Sequence, residues 1–310
     1  MKRLFVTIAA FGLAAAVAFA QDFNAAIDVF NAGATALEGG NKVEALTQFR
    51  SALTQFQACE GDEAAEMIAK CKEIIPGTLL SIAKEQINEA DYDKALASLA
   101  EAESVAKEFG QDNTATEAAG LVPNVYLRKG STLLKDKDFA GAAAAFKEVV
   151  AITPEDGQAQ LLLGQALMQN NDLAGATEAL EKAASLGKED QAHKLLGTAY
   201  LKEGQALLKA NKTADAVAAL EKSNSYSESA NAYKLIASAQ TKAGKNKEAI
   251  AAYKKYLEVS PNAKDAADIM FTIAATAQKA GDKATAKEYY NKLTGDAKYG
   301  AQAQAQLKAL

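Results

Sequence analysis

Small and large apolar residues recur along this chain at the spacing of one helical turn. Seven times, a short polar or glycine-containing segment is followed by an alanine and, four residues later, by a large apolar residue. Residues four apart lie on one face of an α-helix, so each pair marks a buried face. The pairs are Ala45 and Phe49, Ala95 and Leu99, Ala142 and Phe146, Ala176 and Leu180, Ala216 and Leu220, Ala249 and Tyr253, and Ala286 and Tyr290.

A second small residue stands twelve positions before each of these alanines. This set is Gly33, Ala83, Gly130, Gly164, Gly204, Ala237 and Ala274. A small residue lets a second helix approach closely, and turn-forming residues such as Gly39-Gly40-Asn41 and Gly281-Asp282 fall between the two positions. The pattern therefore predicts seven antiparallel helix pairs.

Some of the units are recognisable copies of one another. Tyr126-Leu-Arg-Lys-Gly130 returns 74 residues later as Tyr200-Leu-Lys-Glu-Gly204, and Ile74-Ile-Pro76 returns 47 residues later as Leu121-Val-Pro123. Fixed-offset similarity of this kind is typical of repeat architectures.

The units resemble the tetratricopeptide repeat, a helix–turn–helix of about 34 residues. Asp91-Tyr-Asp-Lys-Ala95 is similar to the family's entry into its second helix, and Ala142, Phe146 and Pro154 match its second-helix alanine, aromatic residue and terminal proline. The resemblance covers nearly all of residues 21–310 and implies an all-α fold. That fold is an α–α superhelix, a right-handed solenoid of antiparallel helix pairs with about seven units. The family's first-helix tryptophan is absent, because the chain contains no Trp.

Several units are longer than the family's repeat. The surplus residues, 62–75, 113–122 and 190–196, are compatible with helix, and we interpret them as extensions of the first helices. The alternative is a separate short helix at each place. The expected organisation is an N-terminal set of units with long helices over residues 21–109, further repeats over 110–300, and a capping helix over 301–310, because terminal repeats need a polar cover.

The first twenty residues have the pattern of a secretory signal peptide. Lys2 and Arg3 precede an apolar run that is too short to span a membrane, and Ala18-Phe19-Ala20 forms a small-residue cleavage site. The sequence therefore predicts export, cleavage after Ala20 and a periplasmic or secreted chain without stable membrane insertion. A retained N-terminal anchor is the alternative.

Charge and cysteine content narrow the picture further. Without residues 1–20 the chain carries 32 basic and 39 acidic residues, and this mildly acidic balance argues against nucleic-acid binding. Two cysteines in an exported chain favour a disulfide. Spacing argues against it, because Cys71 lies about 13 Å along its helix from the hairpin tip near Cys59, beyond the ~7 Å reach of a bridge. A Cys59–Cys71 disulfide stays open at this point.

The sequence has no group of residues typical of a catalytic, metal or phosphate-binding site. His193 is the only histidine, so sites with several histidines are excluded, and it reads as a solvated surface residue. No phosphate-binding glycine loop is present, since Gly187-Lys188 is followed by Glu189. We expect a non-enzymatic protein with no cofactor and no metal.

The resemblance implies that the first helices line a surface that binds peptides or protein segments. Two rows of first-helix residues would form it, with lysines beside them toward the C-terminus. A packing role for the aliphatic residues, against neighbouring units, is the alternative. The candidate residues are Leu127, Leu161, Leu201, Leu134, Met168, Leu208, Lys135, Lys209, Lys242 and Lys279.

The predicted function is a scaffold or adaptor in the bacterial envelope that binds a protein or peptide partner. The alternative is a structural component of a larger periplasmic or outer-membrane-associated assembly.

Overall fold

The computed structural model describes residues 16–310, with side chains from Asp22 onward, and every regular element in this part of the chain is helical. The predicted signal peptide of residues 1–20 lies mainly outside the described residues. The described residues divide between Pro154 and Glu155 into two compact units, which we call the N-terminal and C-terminal units.

The N-terminal unit contains three helix pairs. Their helices are α1 (Ala16–Glu38) and α2 (Lys42–Gln57), α3 (Asp62–Asn88) and α4 (Tyr92–Glu108), and α5 (Asp112–Lys135) and α6 (Phe139–Ile152). Each helix packs against the next along the chain, and the first helices α3 and α5 also contact each other. This is the stacking expected of a solenoid, in which each repeat touches its neighbours.

The C-terminal unit contains four pairs and a final helix. Its helices are α7 (Gly157–Gln169) and α8 (Leu173–Ala183), α9 (Glu189–Lys209) and α10 (Thr213–Tyr226), α11 (Ala230–Lys242) and α12 (Asn246–Val259), α13 (Ala266–Lys279) and α14 (Lys283–Lys292), and α15 (Gly300–Ala309). First helices α7, α9 and α11 contact one another in order. The predicted all-α fold of seven antiparallel pairs is confirmed.

The paired small residues explain the close approach within each pair. A Cβ added to Gly164 would lie 2.4 Å from Leu180 Cγ, and one added to Gly130 would lie 2.7 Å from the Phe146 ring. The small residue thus faces the large apolar residue of the second helix, and Phe146 and Leu180 are completely buried. Glycine is required there because the partner side chain occupies the space of a Cβ.

All seven turns within the pairs have the same backbone conformation. The second residue after the first helix has a positive φ, as at Gly40 (83°), Ala90 (61°) and Asn211 (56°). The amide of the following residue then donates to a carbonyl five positions earlier, as Asp172 N does to Leu167 O at 2.9 Å. This Schellman-type closure satisfies the free carbonyls at the helix end.

The long first helices are continuous. Helix α3 runs through Pro76 and α5 through Pro123, so the surplus residues extend these helices rather than forming separate ones. Helix α9 is similarly long, at 21 residues. The interpretation of these segments as extended first helices is confirmed.

Helix α15 covers the end of the last pair. Tyr299, its N-cap residue, stacks on Phe271 of α13 with ring centroids 4.6 Å apart, and Gln306 accepts a hydrogen bond from Gln278 at 2.9 Å. Leu307 and Leu310 pack against the core of the C-terminal unit. The terminal helix therefore shields the apolar surface of the last pair.

Candidate binding surface

The aliphatic row of the first helices lies partly in the core. Leu161 is only 7% exposed and belongs to a cluster with Leu196 and Tyr200 of the following pair. Leu161 therefore packs between neighbouring pairs, as the packing alternative expects. Its side chain offers almost no surface to a partner.

The other aliphatic candidates are half-buried. In the C-terminal unit, Met168 packs against the Leu196 cluster, and Leu201 and Leu208 pack against the core that contains Ile236. In the N-terminal unit, Leu127 and Leu134 of α5 are also half-buried. Each of these five residues keeps one exposed side, so packing and partner contact are compatible at these positions.

Polar residues on the same helix faces were missed by the sequence reasoning. On α9, Thr198 and Gln205 lie three residues before and four residues after Leu201, which places all three on one face. Gln158 and Gln165 stand in the same relation to Leu161 on α7. The structure leaves all four polar side chains exposed or half-buried. The spacing alone, applied to polar as well as apolar residues, would have found them.

The predicted lysines are on the surface. Lys135, Lys209, Lys242 and Lys279 are exposed in the last turns of α5, α9, α11 and α13, where a positive charge favours the helix dipole. None of the four forms a salt bridge within the described residues. Their ammonium groups are therefore available to a negatively charged partner.

The surface ends before the last pair. Lys234 of α11 pairs with Asp265 and lies 5.7 Å from the centre of the Tyr256 ring, so it contributes to packing. Phe271 and Gln278 of α13, at the equivalent positions of the last pair, contact α15. The candidate binding surface of the C-terminal unit therefore extends over α7, α9 and the end of α11.

A tyrosine cluster joins the first half of α9 to the second helices α8 and α10. Tyr226 stacks on Tyr200 with centroids 5.8 Å apart, and its hydroxyl donates to Glu181 at 2.5 Å. Burial, followed by the hydrogen bond to Glu181, raises the pKa of Tyr226 above its ordinary range. His193 lies 5.5 Å from the Tyr226 ring and is 34% exposed, so it is half-buried rather than a fully solvated surface residue.

Tyr256 forms a similar link beside the surface. Its hydroxyl donates to Asp265, and this bond, followed by burial, raises the pKa of Tyr256 to about 12. The same carboxylate accepts from Lys234, and hydrogen bonds from Lys234 and then Tyr256 lower the pKa of Asp265. Both groups stay in their ordinary charge states at neutral pH, so the link is structural.

Both cysteines are free in the structure, Cys71 fully buried and Cys59 partly buried. Burial raises the pKa of the Cys71 thiol to about 12, which makes it unreactive at neutral pH. Among the described residues, no group of three His, Cys, Asp or Glu side chains is arranged to hold a metal ion. Within the same range, no helix is long and apolar enough to cross a membrane.

The fold and the exposed first-helix face define a class, the helical repeat scaffold. Residues 133–199 and residues 201–267 each match a family model of the tetratricopeptide repeat. The chain is therefore a tetratricopeptide-repeat protein in this region, and the resemblance inferred from its sequence is confirmed.

Solved structures of other repeat proteins are similar to this chain. A crystal structure of MamA is 23% identical and covers 59% of this chain and 96% of its own, with a TM-score of 0.34. MamA 41-end from Desulfovibrio magneticus RS-1 is 20% identical, with coverages of 59% and 96% and a TM-score of 0.32. PilW, a type IV pilus biogenesis factor, is 20% identical, with coverages of 75% and 98% and a TM-score of 0.30. No curated protein matches the sequence.

Proposed function

We propose that this protein is an exported scaffold that binds an extended protein segment along the first helices of its C-terminal unit. The observation that carries the proposal is the face of α9, where Leu201 and Leu208 alternate with Thr198 and Gln205 and all four keep exposed surface. Repeat proteins use extended surfaces of this kind to bind partners.

The chemistry of this face fits an extended peptide. The exposed sides of Met168, Leu201 and Leu208 would bury apolar side chains of the partner, at about 25 cal/mol per Å² of gross transfer energy. Amide side chains such as Gln165 and Gln205 both donate and accept hydrogen bonds, which is what an extended backbone requires. Lys209 and Lys242 would raise the association rate of an acidic segment, and salt would screen that effect.

The location is part of the proposal. Export would follow from the N-terminal pattern, with cleavage after Ala20. The described core contacts of α1 begin at Phe23, whose ring lies 5.5 Å from that of Phe56, so they lie after the cleavage site. Mass spectrometry of protein from its native host should find a chain that begins at Gln21, whereas a full-length, membrane-bound chain would contradict export.

The binding surface is tested by exchange of one exposed leucine. Once a partner is isolated from envelope extract, Leu208→Gln should weaken its binding at least tenfold, because the apolar contact is lost while the helix is retained. Leu257→Gln is the matched control, because Leu257 is a half-buried leucine on the second helix α12. Circular dichroism should show both variants folded.

Two results would contradict the proposal. Normal binding by Leu208→Gln together with lost binding by Leu257→Gln would move the contact to the second helices. Co-purification in one large stoichiometric complex, without exchange of free peptide, would favour the alternative of a structural component in an envelope assembly.

A further inference from the structure

The turns of the C-terminal unit form an edge of unpaired lysines. We call this the basic edge, and it lies where α9, α11 and α13 turn into α10, α12 and α14. Its residues are Lys209, Lys212, Lys242, Lys245, Lys247 and Lys279. All six are exposed, and none forms a salt bridge in the part of the chain that the structure describes.

The salt bridges of the C-terminal unit lie at the opposite ends of its helices. They join Lys234 to Asp265, Lys255 to Glu258, Lys292 to Glu288 and Lys298 to Asp268, with His193 and Glu189 3.9 Å apart at the same side. Among the described residues of this unit, ion pairs therefore occur only at the opposite ends of the helices. The six lysines of the basic edge take no part in them, although Asp215, Glu248 and Asp282 lie at the same edge.

Two of these lysines stand at helix N-cap positions, where capping and the helix dipole favour Asp or Asn. The residue before the second helix is Asn41, Asp138, Asp172 or Asp282 in four of the pairs, and its side chain accepts from a backbone amide of the first turn. Lys212 and Lys245 stand at the same position before α10 and α12, and neither caps its helix. A lysine there also opposes the helix dipole. Departures from a local rule of this kind are expected where a site is functional.

A groove opens at the same edge, between α12 and α14. It has a volume of about 480 Å³, and the apolar part of its lining is Ile250, Ala251 and Ala280. Lys247 and Lys254 stand at its rim, and the Lys254 ammonium lies 5.4 Å from the centre of the Tyr289 ring. The lining also contains Asp282, whose carboxylate accepts from Thr285 N at 3.0 Å and so is engaged in capping α14.

We propose that the basic edge and this groove together bind an acidic protein segment that carries one apolar side chain. The apolar side chain enters the groove over Ile250 and Ala251, and the flanking carboxylates pair with Lys245, Lys247 and Lys254. The basic edge shares Lys209 and Lys242 with the first-helix surface of the proposed function. The groove and the three lysines that flank it, Lys245, Lys247 and Lys254, lie outside that surface, so this proposal does not depend on the proposed function.

The residue types favour a protein segment over a nucleic acid. The C-terminal unit contains no arginine, so it lacks the side chain best suited to bidentate phosphate contacts. Its net charge is only +2, from 20 basic and 18 acidic residues in positions 155–310. A groove lined by Ile250, Ala251 and Ala280 together with Lys247 and Lys254 is complementary to an apolar side chain flanked by carboxylates.

The test uses three labelled peptides and fluorescence anisotropy with the full chain. One peptide has glutamates around a central leucine, the second has serine in place of the leucine, and the third has glutamines in place of the glutamates. The first should bind most tightly, and the loss of the leucine should weaken binding roughly tenfold, the effect of exposing one buried aliphatic side chain. Added salt should weaken the acidic peptides and leave the glutamine peptide unchanged.

Variants separate the two parts of the site. Lys245→Glu with Lys247→Glu should weaken the acidic peptides at least tenfold, whereas Lys194→Glu with Lys264→Glu, an equal charge change at the opposite edge, should have little effect. Ala251→Phe should fill the groove and abolish the preference for leucine over serine.

Four outcomes would overturn the proposal. The Lys245/Lys247 variant binding the acidic peptide normally would exclude the basic edge. An equal effect of the control pair would show bulk electrostatics only. Binding of phosphatidylglycerol vesicles through the same lysines, without peptide binding, would identify a membrane surface. Concentration-dependent sedimentation that the Lys245/Lys247 variant abolishes would identify a second copy of this chain as the occupant.

Discussion

The two units build the same helix pair with different aromatic residues. Residues 22–154 contain seven phenylalanines and two tyrosines, whereas residues 155–310 contain one phenylalanine and eight tyrosines. At the large apolar position of the second helix, Phe49 and Phe146 of the N-terminal unit correspond to Tyr253 and Tyr290 of the C-terminal unit. All four are buried, so the geometry of the pair does not determine which ring is used.

The tyrosine hydroxyls add polar links that the N-terminal core lacks at the matching positions. Tyr290 donates to Gln278 at 2.9 Å, Tyr226 to Glu181 at 2.5 Å, and Tyr256 to Asp265. The link from Tyr226 joins neighbouring pairs, since Glu181 belongs to α8 and Tyr226 to α10. Contacts between pairs in the C-terminal unit therefore include hydrogen bonds to carboxylates as well as apolar packing.

The two units also differ in net charge. Residues 22–154 carry 21 acidic and 12 basic side chains, a net charge of −9, against +2 for residues 155–310. The N-terminal unit uses lysines in bridges near its turns, such as Lys129 with Asp93 and Lys94 with Asp91. The same helix pair therefore builds two different units. The N-terminal unit is acidic and has phenylalanines in its core, whereas the C-terminal unit has unpaired lysines and tyrosine hydrogen bonds.

The largest expected effect is on the close approach of α7 and α8. Gly164→Leu places a Cβ 2.4 Å from Leu180 Cγ and should destabilise the C-terminal unit by about 3 kcal/mol or more through overpacking. Hydrogen exchange should show lost protection in α7, α8 and the helices of the adjoining pairs. Protection of the distant pair α1 and α2 should be unaffected, because each repeat touches only its neighbours.

Gly120→Leu is the matched control for this change. Gly120 lies inside α5, and a Cβ added there would meet nothing within 4 Å. The substitution should be neutral or stabilise by up to ~1 kcal/mol, because leucine favours helix more than glycine does. Uniform loss of protection in both units after Gly164→Leu would contradict a modular repeat and indicate a single cooperative core.

An exchange of ring types tests the aromatic comparison directly. Tyr256→Phe should cost about 1–2 kcal/mol at neutral pH, because it removes a hydrogen bond to a charged acceptor that keeps part of its surface in water. Phe146→Tyr in the N-terminal unit should cost about 1–3 kcal/mol, because it adds a hydroxyl where the ring already faces the backbone of Gly130. Urea unfolding of each variant measures both values.

The pH dependence distinguishes the two costs. The pKa of Asp265 is lowered in the fold, so its contribution is present above the ordinary aspartate range and is lost as pH falls through the lowered pKa. The deficit of Tyr256→Phe should therefore shrink in acid. It should also shrink as pH rises through about 12, where Tyr256 itself ionises. The Phe146→Tyr deficit should stay constant in acid, and a Tyr256→Phe deficit that is equally constant would exclude the Asp265 link.

Much of the fold follows from spacing in the sequence, and much of the surface does not. The alanines and the large apolar residues four positions later predict the helix pairs, because helical periodicity is a local property of the sequence. The extended helices α3 and α5 were also predicted, and they continue through Pro76 and Pro123. The burial of Leu161 depends on Tyr200 and Leu196 of the next pair, which lie more than thirty residues away in sequence. The groove beside Ala251 is likewise made by two helices that no local pattern brings together.

The smallest expected effect concerns Lys245, which stands at the N-cap position of α12 without capping it. Lys245→Asn should stabilise the C-terminal unit by about 0.5–1 kcal/mol, because asparagine accepts a backbone hydrogen bond at the start of α12 and removes an unfavourable charge there. Asn41, which accepts from Glu44 N at 3.2 Å in the first pair, shows that an asparagine caps its helix in this turn. Thermal unfolding measures the gain, and Lys264→Asn, outside any cap position, is the control.

The same variant decides why the lysine is there. If Lys245 belongs to a binding edge, Lys245→Asn should raise the melting temperature and at the same time weaken the acidic leucine peptide several-fold at low salt. A residue with only a structural role would not move stability and affinity in opposite directions. An unchanged peptide affinity in the stabilised variant would mean that the missing cap at Lys245 has no role in binding. The absence of helix capping would then give no support to the basic edge.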